Sequence, residues 1–378
     1  MAAIANKIII TNGGWERSRM DFAFHGSAWD LCMVRFDDGL ARALEAAGHR
    51  RVLMQGRGPH LVLAHIDPQD PKAYRRPDSG VFVVSLLRLP RPPDNLDSHA
   101  HGWIVRTLAN LMIVVAGPDD QPAIYVRTPD RTLESIGAPA WSPALYAQLM
   151  QHLSMLDVHL VVDNIFDRDL EPELRQGGDA LPAMRRAAAR LAELGALTSG
   201  PPVGDMLAPQ ELRHLQRLYQ GSRMSSGNLS QRHDARRFWM STSGVDWAQL
   251  GTVGRDVELV KGYDPGSRAL LISVPPGVRP RRVSSDALTH HLVYRSQPGV
   301  GAIAHLHAWF DDVQAVGPDY ARGSLERAHV VASLVQEAAD PFHAIVGIER
   351  HGVIVTGETL DEIVQRVSDR GVLPVPCR

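Results

Sequence analysis

Three histidines in two short segments of the last third of the chain, Ala304-His305-Leu306-His307-Ala308 and His351-Gly352, are the residues best suited to chemistry. Alternate side chains of a strand share a face, so His305 and His307 lie about 7 Å apart at ~3.3 Å per residue and can converge on one cation. Imidazole nitrogens bind zinc at about 2.0–2.1 Å. His351 follows the apolar run 344–348, which reads as the end of a neighbouring strand, and is the candidate third ligand. A third segment, Ser284-Ser285-Asp286, supplies a carboxylate and opens a helical pattern. Such a set is the equipment of metal-dependent carbonyl chemistry.

Composition alone yields about one His-x-His in a chain with 17 histidines. A second does occur, His99-Ala100-His101, in the polar stretch 94–102, and reads as a solvated loop. What distinguishes His305 and His307 is their company. The helix opened by Ser284 and Ser285 carries Asp286, His290 and Val293 on its inward face. Its free amides and dipole attract anions, with serine hydroxyls as extra donors. The simpler account makes Ser284 an N-cap and Asp286 a first-turn charge. Two small-residue turns, Ser226-Gly227-Asn228-Leu229-Ser230 and Ser241-Thr242-Ser243-Gly244, could also cradle an anion, although such turns usually only reverse the chain.

These residues need a frame, and 378 residues suit two domains. From 7 to about 196, strands are expected at 7–11, 51–55, 61–66, 81–87, 112–116, 123–126 and 159–164, and helices at 37–47, 142–156 and 181–197, with 103–111 open to either. That alternation is the pattern of an α/β layer domain. Gly200, Pro201, Pro202 and Gly204 break the chain after a long helix and divide it into 1–197 and 205–378. In the second unit, helices are expected at 210–219, 285–295, 324–339 and 360–368, and strands at 238–241, 257–261, 270–274 and 301–308.

A net charge of −2 gives no electrostatic reason to bind nucleic acid or anionic membrane, so a small ligand or protein is the expected partner. The apolar run 108–116 falls short of the ~20 residues of a membrane helix, and no secretory leader is evident, so a soluble, cytoplasmic protein is expected. Cys32 and Cys377 form neither a disulfide framework nor a cysteine metal site. Lys7, Lys72 and Lys261 are the only lysines, and none sits in an apolar run with a partner nearby. Schiff-base chemistry, which needs a lysine that loses its proton, is therefore disfavoured.

The succession Gly227-Asn228-Leu229-Ser230, Ser241-Thr242-Ser243-Gly244, Ser284-Ser285-Asp286, His305-Leu306-His307 and His351-Gly352 resembles the class II aldolase/adducin family over about residues 208–370. The resemblance implies a three-layer α/β/α domain with a mixed central sheet, assembled as homo-oligomers, commonly tetramers. It implies that His305, His307 and His351 hold a divalent metal, usually zinc, with iron, manganese or cobalt as alternatives. It also implies that Asn228, Ser243, Gly244, Ser284 and Ser285 bind the anionic end of a small substrate, and that the metal acts as a Lewis acid on its carbonyl.

Asp286 is a departure, because sugar-phosphate aldolases of the family commonly have glutamate after the serine pair. The Ser-Ser-Asp form is similar to ribulose-phosphate epimerases, so Asp286 is ligand or proton carrier. The stretch between His307 and His351 is short for the family, with Asp311, Asp312 and Asp319 as its local carboxylates, and no tyrosine follows Tyr320. A lyase is the leading expectation. Epimerisation, dehydration, decarboxylation and ferrous oxygen chemistry can use the same site. An adducin-like binding module is the remaining option. No family is recognised for residues 1–197, and Thr11-Asn12-Gly13-Gly14 lacks the full glycine fingerprint of a dinucleotide site.

Overall fold

The computed structural model describes residues 20–54, 59–77, 81–129, 133–154, 163–202, 207–219, 223–316, 323–348 and 351–375. The expected strand 7–11, the Thr11 to Gly14 turn, Asp319 and Tyr320 lie outside them. The first large sheet has seven strands in the order Arg50–Arg51, Asp21–His25, Leu61–His65, Phe82–Leu89, Leu111–Ala116, Ala123–Arg127 and Glu134–Ile136. The pairings among the first five are parallel and the last two pairings are antiparallel. A parallel sheet covered on both faces needs strands apolar at nearly every position, and Leu111–Ala116 is buried throughout. Leu111, Ile113 and Val115 pack with helices Leu31–Ala46 and Pro143–Ser154, and Met112, Val114 and Ala116 with helix Leu96–Thr107.

Two local expectations are corrected here. Helix Leu31–Ala46 begins well before residue 37, because the Asp30 side chain caps it by accepting from the Met33 amide at 2.8 Å. His99 and His101 lie in helix Leu96–Thr107 rather than in a loop, since Leu96, Ala100 and Ile104 form an apolar stripe at four-residue spacing. Residues two apart on a helix diverge by about 200°, and the two imidazoles part accordingly. His101 Nδ1 sits 3.0 Å from an Arg127 nitrogen, and His99 lies against the Trp103 ring.

The second sheet runs Ala315–Val316, Ile345–Ile348, Gly352–Gly357, Ala302–Leu306, Asn228–Arg232, Phe238–Ser241, Val257–Asp264, Ala269–Ser273 and Asp163–Asp167. Its outermost pair at each end is parallel and the pairs between are antiparallel, so the sheet is mixed. Helices Ala180–Glu193 and Leu360–Arg370 cover one face through Met184, Leu191, Ile363 and Val367. Helices Ala287–Ser296 and Leu325–Glu337 cover the other through Val293, Tyr294, Val331 and Val335. The second half is therefore a three-layer α/β/α domain.

The sheet reaches across the expected boundary at 198–204. Strand Asp163–Asp167 pairs along Ala269–Ser273, and Leu170, Met184 and Leu191 share one apolar cluster with Trp239, Trp247 and Leu306. Leu207 and Leu212 pack instead into the apolar layer beneath Leu96–Thr107. We propose that the two units meet between residues 154 and 163. Gly200, Pro201 and Pro202 belong to a short two-stranded ribbon, Thr198–Pro202 with Arg223–Ser226.

Candidate active site

Neighbouring strands in the second sheet bring the histidines together. His305 sits near the end of Ala302–Leu306, His307 just beyond it, and His351 in the turn leading into Gly352–Gly357. Gly352 makes this approach possible: its φ is +134°, and a Cβ there would stand 2.0 Å from the Leu306 carbonyl oxygen. The ring centroids are 5.1 Å apart for His305 and His307, 4.9 Å for His305 and His351, and 4.8 Å for His307 and His351. One candidate ligand atom from each falls within 4.8 Å of the others. His305 is wholly buried, His351 nearly so and His307 half-buried.

Burial holds the His305 imidazole well below its ordinary pKa, against the opposing charge of Asp286. It is therefore neutral in ordinary buffers, the form a ligand needs. Neither ring nitrogen of His305 has a hydrogen-bond partner among the described residues. An unsatisfied buried polar group costs about 1–3 kcal/mol, and donating the imidazole lone pair to a cation removes that cost for one of the two nitrogens. The donor set thus fits a divalent metal.

Asp286 stands beside the histidines, 3% exposed. It occupies the N-cap of helix Ala287–Ser296 but makes no side-chain capping bond. Its Oδ2 accepts from Asn228 Nδ2 at 2.8 Å and lies 3.9 Å from His305 Nδ1, while Oδ1 lies 3.9 Å from an Arg327 nitrogen. A capping role alone does not account for this placement. Asn228 is opposite His305 in the strand register, and Gly227 before it, at φ +77°, lets the chain pass close to the His305 carbonyl.

The expected anion donors differ in how they are placed. Asn228 Nδ2 is committed to Ser284 Oγ at 3.0 Å and to Asp286, leaving only Oδ1, an acceptor, so in this arrangement Asn228 positions the carboxylate. Ser284 Oγ accepts from Asn228 and from the Asp286 amide, so its own O–H hydrogen is the donor left for a ligand. The Ser243 amide donates to the Arg282 carbonyl, which draws the Ser243-Gly244 turn against the Ser284-Ser285 turn. Ser285 is exposed and Ser243 and Gly244 are half-buried, so the cluster faces outward beside the histidines.

A polar ladder supports this arrangement. Asn228, Ser230 and Arg232 alternate along one strand and meet Asp286, His290 and Tyr294 on the helix: Ser230 Oγ lies 2.7 Å from His290 Nδ1 and 2.8 Å from the Tyr294 hydroxyl, and Arg232 donates to the Tyr294 and Gln297 carbonyls. Two strand residues span ~6.6 Å and four helix residues ~6 Å, so the contacts keep step. Burial lowers the His290 pKa to about 4, so this ring is a neutral hydrogen-bonding strut.

Arg327 was not anticipated from sequence. It is 5% exposed and lies on helix Leu325–Glu337 in line with Val331 and Val335. A lone arginine in the buried stripe of an amphipathic helix is the signal that could have revealed it.

Residues 212–369 match the family described as Class II Aldolase and Adducin N-terminal domain. The C-terminal half of this chain thus carries a class II aldolase and adducin domain, a family whose members are usually oligomeric, bind small substrates and, in the aldolases, generally use a divalent metal. Similar solved structures include YgbL, a putative aldolase/epimerase/decarboxylase from Klebsiella pneumoniae, at 16% identity over 50% of this chain and 84% of that one, with a TM-score of 0.34. L-fuculose 1-phosphate aldolase shares 16% identity over 51% of this chain and 83% of its own, also at 0.34. An aldolase II superfamily protein from Pseudomonas syringae shares 12% over 52% and 72%, at 0.31. No curated protein matches the chain. No helix among the described residues is long and apolar enough to cross a membrane.

Proposed function

We propose that the second half is a metal-dependent lyase that makes or breaks a carbon–carbon bond beside the carbonyl of a small anionic substrate, a sugar phosphate or hydroxy keto acid. The observation that carries this reading is the convergence of three imidazoles next to a buried carboxylate. A divalent ion held by His305, His307 and His351, zinc by preference for a nitrogen donor set, supplies Lewis-acid polarisation of the carbonyl. Asp286 moves the proton, its position fixed by the Asn228 amide and its charge balanced by Arg327. Ser284, Ser285, Ser243 and Gly244 anchor the anionic end beside the helix start.

Elemental analysis of the purified protein beside His305→Ala, paired with an aldehyde-release assay, tests this reading. Near-stoichiometric zinc and turnover, both lost in the variant, support it. Iron as the native metal moves oxygen-dependent chemistry forward. No metal and no uptake on titration would leave an adducin-like binding module as the better account. A second reading rests on Asp286 in place of glutamate: product stereochemistry that inverts without aldehyde release assigns epimerisation, and release of carbon dioxide assigns decarboxylation. We further propose a cytoplasmic homotetramer, which light scattering and fractionation check.

A further inference from the structure

The first half holds a cavity of its own, independent of the reading above. Its sheet order places Arg50–Arg51 on one side of Asp21–His25 and Leu61–His65 on the other, so the chain winds outward in one direction, then returns past its starting strand. In open parallel sheets, ligands bind outside the carboxyl ends of the strands at this reversal point. A cavity of about 360 Å³ lies there, lined by His25 to Ser27 after one strand and by Ala64 to Asp67 at the end of the other. That volume lies in the range of small-molecule sites.

The remaining wall comes from the connector after Leu61–His65, which contributes Asp70, Lys72 and Tyr74. This connector is fastened: Trp103 Nε1 donates to the Pro68 carbonyl at 3.0 Å, and buried Arg76 donates to the Val81 carbonyl at 3.2 Å. His65 is the most telling residue. Its side chain is 2% exposed, its Nε2 lies 2.8 Å from Asp37 Oδ2, and its Nδ1 has no hydrogen-bond partner among the described residues. An imidazole oriented by a carboxylate on one nitrogen and open on the other is pre-set to bond a ligand.

The lining also defines the ligand's chemistry. Asp67 and Asp70 face the cavity with Lys72, and Lys72 is already paired with Asp70 at 2.6 Å, so a phosphate or carboxylate would meet excess negative charge. Carboxylate oxygens, Ser27 and His65 suit hydroxyl groups, which both donate and accept. Trp29, 52% exposed at the rim, and Tyr74, packed edge-on against His25, offer faces for the C–H side of a ring or short carbon chain. We propose that this cavity binds an uncharged, hydroxyl-rich small molecule, a sugar or polyol without a phosphate group.

Calorimetric titration of the full chain with unphosphorylated aldoses, ketoses and alditols of triose to hexose size, each beside its phosphate ester, tests the proposal. Saturable binding of a neutral member is expected. It should weaken ~10-fold in His65→Gln and in Asp67→Asn, the loss of about one buried hydrogen bond, and persist in His305→Ala. Because His65 is buried, Ser27→Trp on the exposed loop gives a second obstruction that does not disturb the core. Binding of no member, preference for the phosphate esters, equal affinity in all three cavity variants, or loss confined to His305→Ala would each overturn the proposal. The last outcome would place the ligand in the second half, leaving the lyase reading untouched.

Discussion

The two sheets handle polar chemistry in opposite ways. In the first, strands such as Leu111–Ala116 are apolar on both faces, and the cavity groups His25, His65 and Asp67 lie at or just beyond strand ends. In the second, Asn228, Ser230 and His305 stand within strands, on the face covered by Ala287–Ser296 and Leu325–Glu337. A parallel sheet wrapped by helices leaves no wet face, so function is confined to its loops. The antiparallel centre of the second sheet tolerates a polar column because each buried group finds a partner on the facing helix or is placed to hold a ligand. Two sheets, each packed between helices, therefore yield a loop-built cavity in one half and a sheet-built centre in the other.

This contrast can be broken most severely at His305. His305→Ala should lower turnover by ~10³-fold or more and abolish metal uptake, with circular dichroism unchanged. Phe36→Ala, in the apolar layer of the first sheet, should cost about 3–5 kcal/mol of stability by denaturant titration and leave metal content intact. Metal lost in parallel would show that the halves unfold as one and that the contrast is only descriptive. Gly352→Ala should cost about 2–3 kcal/mol, since alanine must adopt φ +134° and crowd the Leu306 carbonyl, and should loosen metal binding as well.

The smallest effect concerns pH. Burial raises Glu258 from 4.5 to about 8, so its contribution is complete below pH 4.5 and is lost as pH rises towards 8. His290 and His291, lowered from 6.5 to about 4 chiefly by burial, contribute fully above 6.5 and lose that contribution as pH falls towards 4. Glu258→Gln should therefore flatten the alkaline limb of the stability profile by ~1–2 kcal/mol and leave the acid limb in place, as read from denaturation midpoints across that range.

The second sheet was legible because its motifs combine residue type with spacing. His305 and His307 flank Leu306 at the end of a strand, and Gly352 marks the close approach that delivers His351. The first half offered strand and helix periods but no chemistry, because a cavity at strand ends is built from residues such as His25, His65 and Asp67 that carry no shared local pattern. Helix Leu96–Thr107 was obscured by its polar face, which outweighed a three-residue apolar stripe. The pairing that crosses the expected boundary was not legible because Gly-Pro clusters report only local chain breaks, whereas membership in a sheet depends on a partner strand distant in sequence.

The strand Asp163–Asp167 has a further consequence, in the timing of folding during synthesis. It closes one edge of the second sheet beside Ala269–Ser273, about a hundred residues downstream. The helix Ala180–Glu193 that follows it also waits for Trp239 and Leu306 before its apolar face is covered. On the ribosome, this strand and helix emerge with their partners unmade, exposed to other nascent chains for seconds at ordinary elongation rates. A chain begun at residue 205 would have the opposite fault, an open strand edge and an uncovered layer of side chains, the combination that leads to aggregation.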